Sequence, residues 1–314
     1  MGPVPVGALT AALVGLLAAS AVDRQEPVYK VDVRLVRILA TVKNLAGELV
    51  GALEKDDFIV LDEGVPQEIA VFERRSEQPL SIALLIDTSL STAIELRYET
   101  ESVGKFLKAF LAEGHPQDAV AVYSFNYDVT RRTGFTRRVE TLEGALKRLK
   151  PEGGTSLYDA ICLAGEELEA RQGRRAIIVI TDGSDTTSAR SFHDALRAAH
   201  MADAVLYAVL VMPIRNEPGR NIRGENALTG LALGTGGRVF APSVGPTLDQ
   251  AFTEILRELR TQYLLGFYPR RVPEVKDGFH RLEVRLRRPD LRAAARSGYY
   301  EESAPRSRGW RRER

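Results

Sequence analysis

The sequence holds a single cysteine, Cys162, which excludes an intrachain disulfide. That residue lies in 157–168, a helical pattern, beside Ile161 and Leu163 and with no His or Lys adjoining it. It reads as a small buried hydrophobe rather than a reactive thiolate. An excess of charge of either sign is missing as well, 43 Lys and Arg standing against 42 Asp and Glu. A formal net charge of +1 gives no case for nucleic acid or a membrane surface as the partner. The histidines, His115, His193, His200 and His280, are scattered, with no His-Glu-x-x-His pair and no nucleophile elbow. Gly104-Lys105 lacks the upstream glycine of a phosphate loop. A metal with an Asp and a water could still hydrolyse a bond, but no separate general base is apparent.

What the chain does have is ordinary globular material. Its 314 residues are 44% hydrophobic and 27% charged, enough for one large domain and a smaller one. Residues 1–21 carry no charge, Gly7 to Ala19 has the length of a signal-peptide core, and Ala19-Ser20-Ala21 offers small residues for cleavage. A basic residue near Met1 is missing, and no cysteine stands at the cleavage point as a lipoprotein would require. The expectation is an exported protein, periplasmic, cell-surface or secreted, with 1–21 as its signal peptide and no stable membrane span afterwards. An uncleaved anchor is the alternative, poorly served by so short and Gly-rich a stretch. At the other end, residues 301–314 form a basic, frayed tail with Arg306, Arg308, Arg311, Arg312 and Arg314.

Between these ends the pattern changes twice. In 28–75, Val31, Val33 and Leu35 alternate with charged residues, and the apolar set then moves to Ile38, Ala40 and Val42, implying a bend near Val36. Strands are expected at Phe58–Leu61 and Gln67–Phe72 around an Asp62-Glu63-Gly64 turn, in a small β-module without a titratable cluster. Residues 80–260 alternate apolar strands (82–86, 119–125, 176–180, 205–211 and 238–241) with amphipathic helices (95–111, 142–149, 157–170, 192–201 and 248–259). Such alternation predicts a doubly wound, mostly parallel, Rossmann-like sheet covered on both faces, with 129–135 as an antiparallel edge. In 261–300, strands are expected at 263–268, 282–286 and 295–299. Three strands bury too little alone, so they are expected to pair with the N-terminal module, giving a flanking β-module built from both ends.

The chemistry concentrates at strand ends. The apolar run ending at Ile86 delivers Asp87, Ser89 and Ser91 into a turn; Gly153-Gly154-Thr155-Ser156 and Thr181-Asp182-Gly183 supply matching pieces. In an open α/β sheet the ligand crevice lies at the carboxyl ends of the strands. Asp87, Ser89, Ser91, Thr155 and Asp182 form an all-oxygen set suited to Mg²⁺, or to Mn²⁺ or Ca²⁺. Any one piece alone would be an ordinary turn or helix-cap residue. Loops on the same edge bring Asn126-Tyr127-Asp128 and the segment 213–226 nearby. Asp128, Arg215, Arg220 and Arg223 are therefore candidates for a rim, the arginines in a long loop steering an acidic partner.

Asp87-x-Ser89-x-Ser91, Thr155 in Gly-Gly-Thr-Ser and Asp182 in Thr-Asp-Gly together resemble the metal-ion-dependent adhesion site of the von Willebrand factor type A domain. The flanking stretches 53–58, 67–69, 263–268 and 297–299 resemble exported bacterial proteins related to that family, so the resemblance runs through nearly all of 28–300. Leu90 departs from it, standing where the family often has Gly. The resemblance implies that Ser89, Ser91 and Thr155 coordinate directly, and Asp87 and Asp182 directly or through water. A partner protein's Asp or Glu would complete the octahedron. Hydroxyls donate less charge than carboxylates, so such a site favours an external anion. The function expected is a non-enzymatic, metal-dependent protein-binding or adhesion module. The alternatives are an assembly or regulatory subunit of a larger machine and, less favoured, a metal-dependent hydrolase.

Overall fold

In the computed structural model the described residues are 2, 35–74, 77–93, 95–112, 114–211, 221–242 and 246–301. The expected signal peptide, the alternation at 31–34, Arg215, Arg220 and the tail from 302 onward lie outside them. Four strands come first: β1 (Val36–Asn44), β2 (Phe58–Asp62), β3 (Val65–Gln67) and β4 (Ile69–Arg74). There follow β5 (Leu80–Asp87), α1 (Leu96–Ala112), β6 (Ala119–Phe125), β7 (Val129–Arg131), α2 (Val139–Leu146) and α3 (Leu157–Glu169). The next elements are β8 (Arg174–Thr181), α4 (Phe192–Met201), β9 (Ala204–Leu210), α5 (Ile222–Gly234), β10 (Val239–Phe240) and α6 (Pro246–Thr261). Last come β11 (Tyr263–Phe267), β12 (Phe279–Leu286), β13 (Leu291–Ala294) and β14 (Gly298–Tyr300).

The large sheet has the order β10-β9-β8-β5-β6-β7, parallel throughout except for β7. Every residue of β5, β6 and β9 is buried, as continuous apolar runs require of strands covered on both faces. Ile82, Leu84 and Ile86 pack with α1, α2 and α6; Ala83 and Leu85, one residue out of phase, pack with α3, α4 and α5. The chain leaves β5 towards one face and the neighbouring β8 towards the other, so their carboxyl ends flank a topological switch point.

Strands from both ends of the chain do pair. β1 runs antiparallel to β11 and then β13, giving the sheet β13-β1-β11-β4; β2 runs antiparallel to β12, giving β14-β12-β2-β3. Their side chains share one apolar cluster that includes Ile38, Phe58, Tyr263 and Phe267.

Several local expectations need correction. Within β1 the apolar residues Val36, Ile38, Ala40 and Val42 are buried as expected; the first half of the expected parity switch lies outside the described residues, and β11 has an irregularity of its own at Gly266/Phe267. The single strand expected at 67–72 is interrupted at Glu68, because β3 pairs in one sheet and β4 in the other. Gln67 clamps that corner through Oε1, which accepts from the Arg270 N–H at 2.9 Å, and Nε2, which donates to the Arg270 carbonyl at 3.1 Å. Of the strand expected at 295–299 only residues 298 and 299 are in a strand, β14, while 295–297 link it to β13. The segment up to Asn226 is not all loop, since α5 begins at Ile222. The β-module also holds a titratable cluster. The Tyr299 hydroxyl donates to Asp62 Oδ2 at 2.7 Å, and His280 Nδ1 lies 3.2 Å from Asp62 Oδ1, all three buried.

Candidate functional site

β5 ends by burying its last side chain. Asp87 is fully enclosed; its Oδ1 accepts from the Ser89 N–H at 2.8 Å and its Oδ2 from the Thr181 hydroxyl at 2.6 Å. Both donors are neutral. Burial pushes the Asp87 carboxyl up to about 6 against those two hydrogen bonds, and the Asp182 carboxylate pushes the same way. After the turn, a short 3₁₀ segment, Leu90–Thr92, is tied back by the Thr92 hydroxyl, which donates to the carbonyls of Asp87 and Ser89. It brings the Ser89 and Ser91 hydroxyl oxygens to 2.9 Å.

Two further loops lean on this turn. The Glu152 N–H donates to the Thr88 carbonyl at 2.8 Å, and residues 89 and 152 form a parallel bridge. Gly154 takes φ +79 with Tyr127 against it, a place where a Cβ would stand 2.8 Å from that of Tyr127. Thr155 follows, buried, its N–H donating to the Thr186 hydroxyl and its carbonyl accepting from the Thr186 N–H. That links the second loop to the one after β8. There Asp182 is half-buried and accepts from the Ser184 N–H at 2.9 Å. Gly183, at φ +88, lets α5 close in, because Gly224 has its own Cβ position against the Gly183 carbonyl oxygen.

The three loops that carry Asp87, Ser89, Ser91, Thr155 and Asp182 are thus tied into one edge. Of the expected rim, Asp128 and Arg223 are among the described residues. Asp128 is exposed on that edge and serves the β6–β7 turn, its Oδ1 accepting from the Val129 N–H. Arg223 is exposed but belongs to the first turn of α5, which Asn221 caps by accepting from the Gly224 N–H at 3.0 Å. Leu90, Tyr127 and Ile222 are 62–66% exposed, one on or against each of the three loops. Three exposed apolar side chains thus stand around the polar centre, the reverse of the apolar core and polar rim usual in protein interfaces.

Sequence reasoning missed Glu99. It sits on the inward stripe of α1 with Leu96, Val103 and Phe106, and it is fully buried. Burial raises its carboxyl well above the ordinary range, and Asp87, Glu95 and Asp182 push in the same direction. The signal was available, since a Glu in an i, i+4, i+7 apolar stripe contradicts amphipathic patterning. The charges that shift Asp87 and Glu99 are all acidic. An edge with uncompensated negative charge, lined by hydroxyls and carboxylates, fits a hard divalent cation. Among the described residues no three Asp, Glu, His or Cys side chains could hold an ion by themselves, so the Ser and Thr hydroxyls would have to contribute.

Residues 82–184 match the family described as von Willebrand factor type A domain, and the sheet with its two helical layers is the fold of that domain. Uncharacterized proteins of Mycobacterium tuberculosis and Mycobacterium bovis are 27% identical over 128 residues, which cover 40% of this chain and 18% of theirs. The match therefore spans less than a fifth of those relatives. Among solved structures, the von Willebrand factor domain of the type V pili tip protein Mfa5 from Porphyromonas gingivalis aligns with 57% of this chain and 94% of its own (14% identity, TM-score 0.48). The hypothetical protein BatB from Bacteroides thetaiotaomicron aligns with 57% of this chain and 97% of its own (17% identity, TM-score 0.46). An aerotolerance-related membrane protein from Bacteroides fragilis gives 57% and 98% (18% identity, TM-score 0.45). No helix among the described residues is long and apolar enough to cross a membrane.

Proposed function

We propose that this chain is an exported, non-enzymatic protein-binding module whose β5–β8 crevice holds Mg²⁺, or Mn²⁺ or Ca²⁺, and receives an Asp or Glu of a partner protein. The observation that carries the reading is the uncompensated acidic edge, with Asp87 and Glu99 buried among further carboxylates and no basic side chain among the charges that shift them. Ser89, Ser91 and Thr155 would hold the cation through hydroxyl oxygens, and Asp87 and Asp182 directly or through water. Bound there, the cation would supply a positive centre that a carboxylate can reach. Asp87 keeps the first turn in shape through the Ser89 N–H and joins β5 to β8 through the Thr181 hydroxyl. Leu90, Tyr127 and Ile222 would add apolar contact and exclude water around the ionic contact. The type A match supports the coarser part of this reading, a protein-interaction module. Export rests on the uncharged apolar stretch at 1–21.

The test has two arms. Chelator-treated protein is titrated with Mg²⁺ and Mn²⁺ by calorimetry, and exported proteins of the source cell are captured with Mg²⁺ or with chelator. Wild type should bind one cation and retain a partner only in Mg²⁺, with both properties lost in Asp87→Ala. Partner capture that is indifferent to chelator and to Asp87→Ala would refute the bridging cation.

A further inference from the structure

Helix α1 places a carboxylate where its packing calls for an aliphatic side chain. Leu96, Val103, Phe106 and Phe110 line the face against the large sheet and α6, and Glu99 stands in that row with no exposed surface. Neither of its oxygens has a hydrogen-bond partner. An enclosed carboxylate without a donor is costly, and a Leu at the same place would carry no such cost. The first turn of α1 begins five residues after Ser91, and Asp87 and Asp182 at the crevice are among the carboxylates that act on Glu99.

We propose that Glu99 is a positioning residue of the cation site, accepting a hydrogen bond from water bound on the buried side of the cation. The proposal rests on the cation reading above and goes beyond it by adding an inner carboxylate to the donor set. Two facts select a water-mediated role. Asp87, Asp182 and Glu99 do not form a group of three carboxylates that could hold an ion directly, so with both aspartates as ligands Glu99 would act from further out. Mg²⁺ also dehydrates reluctantly and retains waters, whose hydrogens need acceptors. Groups in that outer position orient the ligands and typically govern 10–100-fold in metal affinity. The consequence is a cation that stays resident without a partner, since negative charge reaches it from within the protein.

The experiment is Mn²⁺ and Mg²⁺ calorimetry on the full chain after chelation, comparing wild type, Glu99→Gln, Glu99→Asp, Glu99→Met and Asp87→Ala, with melting in chelator to verify folding. Glu99→Gln should weaken Mn²⁺ binding about 10–100-fold. It should melt in chelator at or above the wild-type temperature, and Glu99→Asp should recover part of the affinity. A purely structural Glu99 predicts the reverse, a lower melting temperature and an unchanged dissociation constant. Glu99→Gln binding Mn²⁺ within twofold of wild type, while Asp87→Ala does not bind, would overturn the role of Glu99 and leave the cation site standing. Wild type that binds neither ion would overturn both. Should Glu99→Gln fail to fold, Glu99→Met decides, and wild-type affinity there overturns the proposal.

Discussion

Removing the charge of Asp87 should stabilise the cation-free protein at neutral pH, and the gain should shrink on acidification. Asp87 sits near 6 in the fold and at 3.8 in its unperturbed state. A raised carboxyl favours folding when protonated. Its contribution is fully present below 3.8 and is lost as pH rises through about 6. The gap corresponds to about 3 kcal/mol at pH 7.5, of which about half is recovered by pH 5. At the lower end of the 2–4 °C per kcal/mol expected for a large domain, that is roughly 6 °C in Tm, falling to roughly 3 °C. The assay is a thermal melt in chelator of wild type and Asp87→Asn at both pH values. His200 works the other way, since burial holds it below 6.5 and its contribution fades as pH falls. It is common to both proteins and cancels in the comparison. In saturating Mg²⁺ the order should invert, with wild type the more stable at pH 7.5. An Asp87→Asn advantage in chelator that is absent, or equal at pH 5 and 7.5, would refute the reasoning.

Gly154→Ala forces a Cβ into positive φ and against Tyr127, so the denaturation midpoint should fall by an amount equivalent to about 1–2 kcal/mol. Tyr299→Phe removes the hydroxyl that donates to buried Asp62, and urea unfolding should show a loss of about 1–3 kcal/mol. Burial pushes the Cys162 thiol up to about 11, so its alkylation in native protein at pH 8 should be at least about 100-fold slower than in urea. Comparable rates in the two states would show that the thiol is accessible.

Strand positions in the large sheet were readable because a doubly covered strand has to be a short, unbroken apolar run, and 82–86, 119–125 and 176–180 are such runs. Asp87, Ser89, Ser91 and Asp182 were singled out because they lie at or just after the ends of β5 and β8, whereas Thr155, in the loop between α2 and α3, was singled out by its Gly-Gly-Thr-Ser stretch. Helix α5 escaped because Gly224, Gly230 and Gly234 lower helix propensity. They are needed for contact, Gly224 against the Gly183 backbone and Gly230 against the Phe192 ring. The arginine rim was inferred from a loop of which α5 takes the last part, leaving apolar Ile222 exposed at the edge. Glu99 escaped because charged positions on an amphipathic helix are assigned to water by default. The Asp62–His280 contact joins residues 218 apart in the chain, a separation at which no local pattern operates.

That separation also sets a timetable for synthesis. The strands of the large sheet leave the ribosome in sequence and can pair as they appear, whereas β1 must wait for β11, and β2, paired at once with β3, must wait for β12 on its other edge. Until Tyr263 emerges, the apolar edge of β1 has no mate and is open to pairing with another nascent chain. Ribosomal pausing after β10 would lengthen that interval, and holdase chaperones would be needed most just then.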